Sequence, residues 1–450
     1  MKINIPENAK MILDALHGAG FEAYIVGGCV RDAILGRDPQ DWDITTNAHP
    51  EQVKGLFKRT IDTGIEHGTV TVMVGKEGYE VTTYRIDGKY EDFRHPKDVV
   101  FTRDLTEDMR RRDFTINAMA YNDEEGLIDK FGGEDDLKEG IIRCVGSPYE
   151  RFSEDALRIM RAVRFSAQLG YEIEEETAKA IRELSPNLAN ISAERIQTEL
   201  IKLITSDHPD RVRTAYELGI TKVILPEFDS CMETEQHNKH HMYSVGEHII
   251  HSLDNVGPDK ILRLTMLFHD IAKPVTIKTD EDGVDHFKGH AALGSKMAYD
   301  IFRRLKFDRD TMDRVCNLIV YHDDRYPADA RCVRRAMNRV GEEDYPLLFD
   351  IRYADVMAQS DYKRDEKLAL IRETKEVYEK VLKERDCVSL KDLSVKGGDL
   401  IALGIKPGKE IGEILNAMLF DVIEEPSHNT KEYLLEPERL KRFFMELDAL

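Results

Sequence analysis

The stretch YIVGGCVRDAILGRDPQDWDITT, Tyr24–Thr46, constrains the chain more than any other. Its apolar start, Tyr24–Val26, predicts a short strand. Gly27-Gly28 then permits a tight turn whose bare backbone can approach a ligand. Val30–Leu35 predicts the opening turns of a helix, and N–H groups at a helix N-terminus favour phosphate oxygens. Asp41-Trp-Asp-Ile44 predicts a second strand, in which a period of two sends Asp41 and Asp43 to one face and Trp42 to the other. Neighbouring carboxylates repel unless something positive lies between them. A hard divalent cation such as Mg²⁺, shared with substrate phosphates, meets that need. Glycines that cradle phosphate, followed by a metal-binding acidic pair, point to nucleotidyl transfer. A third carboxylate commonly comes from a neighbouring strand, and Glu80 in Tyr79–Arg85 is the candidate by position.

At 450 residues the chain is long enough for two or more domains. It contains no run of 18 apolar residues, which argues against a membrane span, and its start lacks the apolar core of a signal peptide. Six scattered cysteines without a CxxC pair suit a reduced cytoplasm and exclude a disulfide frame or a thiolate zinc site. The net charge of −21 leans against a nucleic-acid partner, because phosphate contacts supply most of that affinity. Basic residues nevertheless cluster at Arg303–Lys306 and Arg331–Arg335.

Strand and helix signals mix up to about residue 140, with a hairpin predicted from Thr69–Val74 and Tyr79–Tyr84. Beyond Ser153 the chain reads as helical. Ser153 is the expected N-cap of a long helix ending at Gly170, and Ser192 caps another. Pro226 marks a boundary, a histidine-rich block follows, and Lys363–Lys383 predicts a charged helix. Gly404–Gly408 predicts a hairpin between helices whose exposed N–H groups are suited to RNA phosphates, with a plain Gly/Pro turn as the alternative.

Two further clusters bear on chemistry. In Arg110-Arg-Arg-Asp-Phe-Thr-Ile-Asn117, the arginines can neutralise a triphosphate and Asp113 and Asn117 can hold ribose hydroxyls; a capped helix start is the plain alternative. In Glu154-Asp-Ala-Leu-Arg158, Asp155 and Arg158 are spaced to share one helix face, as a surface ion pair would also require. Cytosine and adenine both show an amino group beside an unprotonated ring nitrogen. A carboxylate accepting from the first and a guanidinium donating to the second would select C and A without a template.

Gly27–Asp32 with Asp41-Trp-Asp43, then Arg111–Ala118, then Glu154–Arg158, resemble in order the signatures of class II tRNA nucleotidyltransferases, the CCA-adding enzymes and bacterial poly(A) polymerases. Ser192-Ala-Glu-Arg-Ile196 matches the family's neck. The resemblance implies an α+β fold: a polymerase-beta-like head with a small mixed sheet at 1–140, a helical neck at 141–226, an HD domain at 227–360 and a helical, tRNA-binding tail at 361–450. It implies transfer from CTP and ATP to the 3′ end of a tRNA acceptor arm, in the cytoplasm, by metal-dependent attack of the 3′-hydroxyl on the α-phosphate. Asp41 and Asp43 would hold Mg²⁺, and Gly27, Gly28 and Arg31 would meet the triphosphate. Arg111, Arg112, Asp113 and Asn117 would lie near sugar and phosphates, and Asp155 and Arg158 would read the base. The family pattern supports Glu80 less. Poly(A), CC-only or A-only addition depends on loop features near Asp87–Arg103 that the sequence leaves open.

A second constellation lies in the histidine-rich block. Phe268-His-Asp-Ile-Ala-Lys273 closes an apolar run, a poor place for a His-Asp pair unless something binds it. It resembles the HD phosphohydrolase superfamily. The implied ligands of a divalent metal of unknown identity are His248, His269, Asp270 and Asp355, with His290 and His322 added for a two-metal site. The activity implied is hydrolysis of 2′,3′-cyclic phosphates or phosphomonoesters at damaged tRNA ends. His240, His241 and His251 read as surface or core residues. A phosphohydrolase with an inactive head is the reading from a different class, and the intact Asp41-x-Asp43 speaks against it.

Overall fold

The protein is described by a computed structural model that covers residues 2–88 and 99–447. Most of the Asp87–Arg103 stretch, at 89–98, therefore lies outside the described residues. Two compact units emerge: Met1–Asp229 with Arg304–Lys306, and Ser230–Arg303 with Phe307–Leu450.

The first unit is built on a seven-stranded mixed sheet. Its strands are β1 (Ala23–Val26), β2 (Ile44–Thr46), β3 (Thr60–Gly64), β4 (Thr69–Val74), β5 (Glu77–Thr83), β8 (Met119–Asn122) and β9 (Gly126–Asp129), in the order β3-β4-β5-β2-β1-β8-β9. Strands β6 (Arg85–Asp87) and β7 (Val99–Phe101) pair separately. Every residue of β1 is buried, as the apolar sequence demands of a central strand. It runs antiparallel to β2 and β8, and β2 runs parallel to β5 with Ile44 opposite Val81. The predicted hairpin forms as β4 and β5. Asp41 and Asp43 depart from expectation, because β2 begins only at Ile44. The carbonyl of Asp43 still accepts from Val26 N–H, but the two carboxylates stay exposed while burial starts at Ile44. The apolar residue, not the acidic pair, carries the chain into the sheet.

A second correction concerns Ser153. The chain forms helix Pro148–Glu154, breaks, and restarts as helix Leu157–Leu169. Pro148 starts the first helix early because its fixed φ suits the first turn. Asp155 then leaves helical geometry at φ −137°, ψ 102°, and its carboxylate accepts from Leu157 N–H. Ser153 is thus an exposed residue within the earlier helix, not a cap. Gly170 ends the second helix in the left-handed region at φ 73°, where an added Cβ would fall 2.6 Å from His208 Nε2.

The second unit is helical apart from a short ladder, Lys278–Thr279 with Asp285–His286. Its centre is helix Lys260–Phe268, buried at every position after Lys260, with Arg263 and Thr265 the polar residues among the buried ones. Helices Val245–Asp254, Arg309–Tyr321 and Leu347–Met357 surround it. The charged helix appears at Arg364–Glu384, and the tail packs around Leu400, Ile414, Met418, Val422 and Leu434. Among the described residues no helix is long and apolar enough to cross a membrane, and all six cysteines are free thiols.

Candidate active site

The turn after β1 sets the first site. Gly27 sits at φ 84°, ψ −133°, a conformation that L side chains avoid, and a Cβ there would lie 3.0 Å from Arg112 Nη1. Gly28 opens helix Gly28–Ile34, and its Cβ position faces Arg31 Nη2 at 3.7 Å. The Arg31 guanidinium donates to Asp32 at 2.9 Å and to Asn117 Oδ1 at 2.7 Å. Asn117 Nδ2 donates in turn to Asp113 Oδ1 at 3.2 Å, and Arg161 Nε closes the chain on Asp113 Oδ2 at 2.7 Å. Burial alone would raise the carboxyl of Asp113, but Arg161 and Arg158 hold it well below the ordinary carboxylate range.

Asp41, Asp43 and Glu80 are all exposed. Withdrawal of solvent by the surrounding protein pushes the Asp43 carboxyl above its ordinary value; Arg112 works against this, and Glu80 and Asp41 add to it. Asp41 and Glu80 thus both bear on the Asp43 carboxyl. The oxygens of the three are not gathered into a triple within 4.8 Å, as the ligand groups of the second unit are.

Arg111 and Arg112 share a partner that sequence reasoning missed. Asp108, fully buried, accepts from Arg111 Nε at 2.9 Å, lies 3.6 Å from Arg112 Nη2 and accepts from Thr45 Oγ1 at 3.1 Å. Its signal was available, since it stands three and four residues before the two arginines on helix Leu105–Arg110. No long helix starts at the arginines; a single turn, Thr115–Asn117, leads into β8.

Asp155 and Arg158 lie on either side of the helix break and do not share a helix face. Asp155 Oδ2 accepts from Arg195 Nη2 at 2.7 Å. Arg158 donates to Glu154 Oε2 at 2.6 Å and to the carbonyls of Arg151 and Arg111.

The second site gathers the predicted residues more tightly. His248, His269 and Asp270 form one group, and Asp270, His290 and His322 another, each with ligand atoms within 4.8 Å of one another. Four Nδ1 atoms face backbone carbonyls: His248 at Ala358 O, His269 at Met266 O, His290 at Phe287 O and His322 at Ile319 O, all within 3.2 Å. That fixes the proton on Nδ1 and leaves each Nε2 lone pair inward. The Nε2 atoms then approach in pairs, His248 to His269 at 3.3 Å and His290 to His322 at 3.3 Å. Facing lone pairs repel unless a cation lies near both, so His248, His269, His290 and His322, with Asp270, would fit divalent cations. Asp355 Oδ1 approaches His248 Nε2 at 2.9 Å. Despite burial, which alone would raise them, Asp270 and Asp355 are held low by the facing imidazoles, and Asp270 also by Lys273. Burial holds His322 below the ordinary imidazole range, in the neutral form a metal ligand needs. Two residues were missed. Lys273, buried, reaches Asp270 Oδ2 at 2.7 Å. His241, set aside as a surface or core residue, stands edge-on to His248 with ring centroids 4.9 Å apart. The cluster opens on a cavity of about 860 Å³.

Fold and first site together define a nucleotidyltransferase with a polymerase-type head, a class that works with a divalent cation. Residues 23–143 match the family model described as "Poly A polymerase head domain" and 170–232 the one described as "Probable RNA and SrmB- binding site of polymerase A". Residues 277–437 match a tRNA nucleotidyltransferase domain 2. The CCA-adding enzyme of Ligilactobacillus salivarius is 35% identical over 441 residues, covering 96% of each chain. The chain therefore belongs to the CCA-adding enzyme family. A CCA-adding enzyme of Leuconostoc mesenteroides is 54% identical over 197 residues, an alignment spanning 44% of this chain and 49% of that one, about half the relative's length. The crystal structure of the Bacillus stearothermophilus CCA-adding enzyme in complex with CTP superposes with a TM-score of 0.71 at 28% identity, covering 96% of this chain and 98% of that one.

Proposed function

We propose that this chain adds cytidylate and adenylate from CTP and ATP to tRNA 3′ ends without a nucleic-acid template, releasing pyrophosphate. The observation that carries this is the positive-φ Gly27 turn, where a Cβ would lie 3.0 Å from Arg112 Nη1, beside the hydrogen-bonded chain Arg31–Asn117–Asp113–Arg161. Asp41 and Asp43, with Glu80, would hold Mg²⁺, which when bound lowers the pKa of the attacking 3′-hydroxyl and steadies the leaving oxygens. Gly27 and Gly28 keep the backbone bare for the triphosphate, and Arg31, Arg111 and Arg112 neutralise it. Asp113 and Asn117, linked by a hydrogen bond, stand ready for ribose hydroxyls. Asp155 and Arg158 supply an acceptor and a donor for the pairing edge of C or A once they exchange their present partners. The acceptor arm would be gripped by shape and backbone, in the cytoplasm, with the head at 1–140, neck at 141–226, HD domain at 227–360 and tail at 361–450. The CTP complex of the Bacillus stearothermophilus relative supports the nucleotide assignment.

The test is to incubate the protein with tRNA lacking CCA, first with CTP, then with CTP and ATP, and to sequence the ends. Full CCA is expected. CC only, A only or a long A-tract would select the corresponding alternative, and unextended tRNA would overturn the proposal.

A second reading holds for the helical unit. The paired Nε2 atoms and Asp270 favour a two-metal phosphohydrolase, suited to clearing a cyclic phosphate or phosphomonoester from a tRNA end before extension. Chelator-sensitive opening of a 2′,3′-cyclic nucleotide to its phosphomonoester, lost in His269→Ala, is expected. An equal rate in His269→Ala would end this reading.

A further inference from the structure

Phe165, on helix Leu157–Leu169, keeps only 5% of its surface exposed, and three guanidiniums gather over its ring. Arg164 lies 3.8 Å from the ring centroid, Arg31 5.1 Å and Arg161 5.4 Å, all within the roughly 6 Å over which a ring face attracts a cation. Arg161 stands four residues before Phe165 and so shares its helix face, whereas Arg31 comes from helix Gly28–Ile34 beside the Gly27 turn. Phe114, fully buried and next in the chain to Asp113, meets the Phe165 ring edge-on with centroids 5.7 Å apart.

Three like charges gathered at one ring repel one another. Each has a carboxylate of its own: Arg31 donates to Asp32, Arg161 donates to Asp113, and Arg164 Nε lies 2.6 Å from Glu199 Oε2. Arg164 and Glu199 are both buried. Burial pushes the Arg164 guanidinium below its ordinary value; Glu199 works against this, while Arg161 and Arg31 add to it. The carboxylates differ from one arginine to the next, whereas the Phe165 ring is common to all three. Ring and carboxylate also differ in what they leave for a triphosphate. A carboxylate occupies the N–H donors that phosphate oxygens need. A ring face attracts the guanidinium without using a donor, so the N–H edge stays open to phosphate. An aliphatic side chain would fill the same space and supply no such attraction.

We propose that Phe165 is a positioning residue for nucleotidyl transfer, whose ring holds Arg31 in place for the incoming triphosphate. The proposal rests on the nucleotidyl-transfer reading above. Arg161, on the same ring, carries the frame on to Asp113 and Asn117, and Asn117 in turn accepts from Arg31. Phe165 acts on the nucleotide only through Arg31. Loss of the ring therefore weakens the grip on the triphosphate of CTP and ATP alike and leaves the choice of base unaltered.

The experiment uses the full chain and tRNA lacking CCA. Wild type is compared with Phe165→Met and with a chain in which Phe165 is replaced by trifluorophenylalanine. Fluorine at the ring edge drains the ring face while changing its shape little. Steady-state rates give KM for CTP, ATP and tRNA and the inhibition constant of pyrophosphate, which probes the phosphate subsite without a base. In both altered chains the KM for CTP and ATP and the pyrophosphate constant are expected to rise about tenfold, with the KM for tRNA and the order of C and A addition kept. A chain merely loosened by the change would lose tRNA affinity and Tm together. Should Phe165→Met fail to fold, the fluorinated chain decides. Wild type that leaves tRNA unextended would sink the nucleotidyl-transfer reading itself. Wild type that extends tRNA overturns the role of Phe165 alone if fluorination moves neither the CTP KM nor pyrophosphate inhibition, or if it raises the KM for tRNA as much as that for CTP.

Discussion

Gly27 shows how much one residue can constrain. Its positive φ and the 3.0 Å approach of Arg112 leave no room for a side chain. Gly27→Ala is expected to cost about 1–3 kcal/mol of stability through backbone strain and to displace Arg112, as read from the denaturation midpoint and from weaker CTP binding. Two carboxylates in the same site respond to pH in opposite senses. Asp113 is held low, so its contribution is fully present above the ordinary carboxylate pKa and fades as pH falls through its folded value. Asp113→Asn should therefore lower Tm at pH 7, with the gap to wild type narrowing below about pH 4. Asp43 is raised, so its ionised form burdens the fold above that range. The sequence made Gly27, Asp41 and Asp43 legible because a turn and a charge pair are local patterns. The spacing of Asp108 from Arg111 and Arg112 was legible, whereas its bond from Thr45, far off in the chain, was not.

Helix termini explain why some elements were foreseen and others were not. Gly170 as a stop and the turn ahead of helix Lys409–Glu424 follow from residues with few conformational alternatives. The break at Asp155 was hidden, since its competition with the helix involves Arg195 and Leu157 N–H together. Ser192 and Ser244 both precede helices, but only Ser244 has a glutamate three residues on. The Ser192 side chain makes no capping bond to helix Ala193–Ile204, whereas Ser244 accepts from Glu247 N–H at 3.2 Å. Ser244→Ala is expected to cost about 1 kcal/mol in urea unfolding and Ser192→Ala no more than about half of that.

For the molecule as a whole, composition and pattern point in different directions. A net charge of −21 speaks against RNA, yet arginines gather around the first site, where Asp108 and Asp113 hold them in register. The histidine cluster gathers side chains from positions 248 to 355, and only their shared residue types announced it. Elemental analysis should find transition metal in the chelator-stripped, reloaded chain and in Asp41→Ala, and less of it in His269→Ala. Where metal binds, stability should rise, by about 2.7 kcal/mol at a hundredfold excess over Kd. Equal metal content in His269→Ala and wild type would contradict the second centre. The most direct test of the central claim is single-turnover addition of the first cytidylate to tRNA lacking CCA by Asp43→Asn. The carboxylate account predicts a loss of about a thousandfold, with Tm at pH 7 in metal-free buffer equal to or above wild type. A rate within about tenfold of wild type would contradict it.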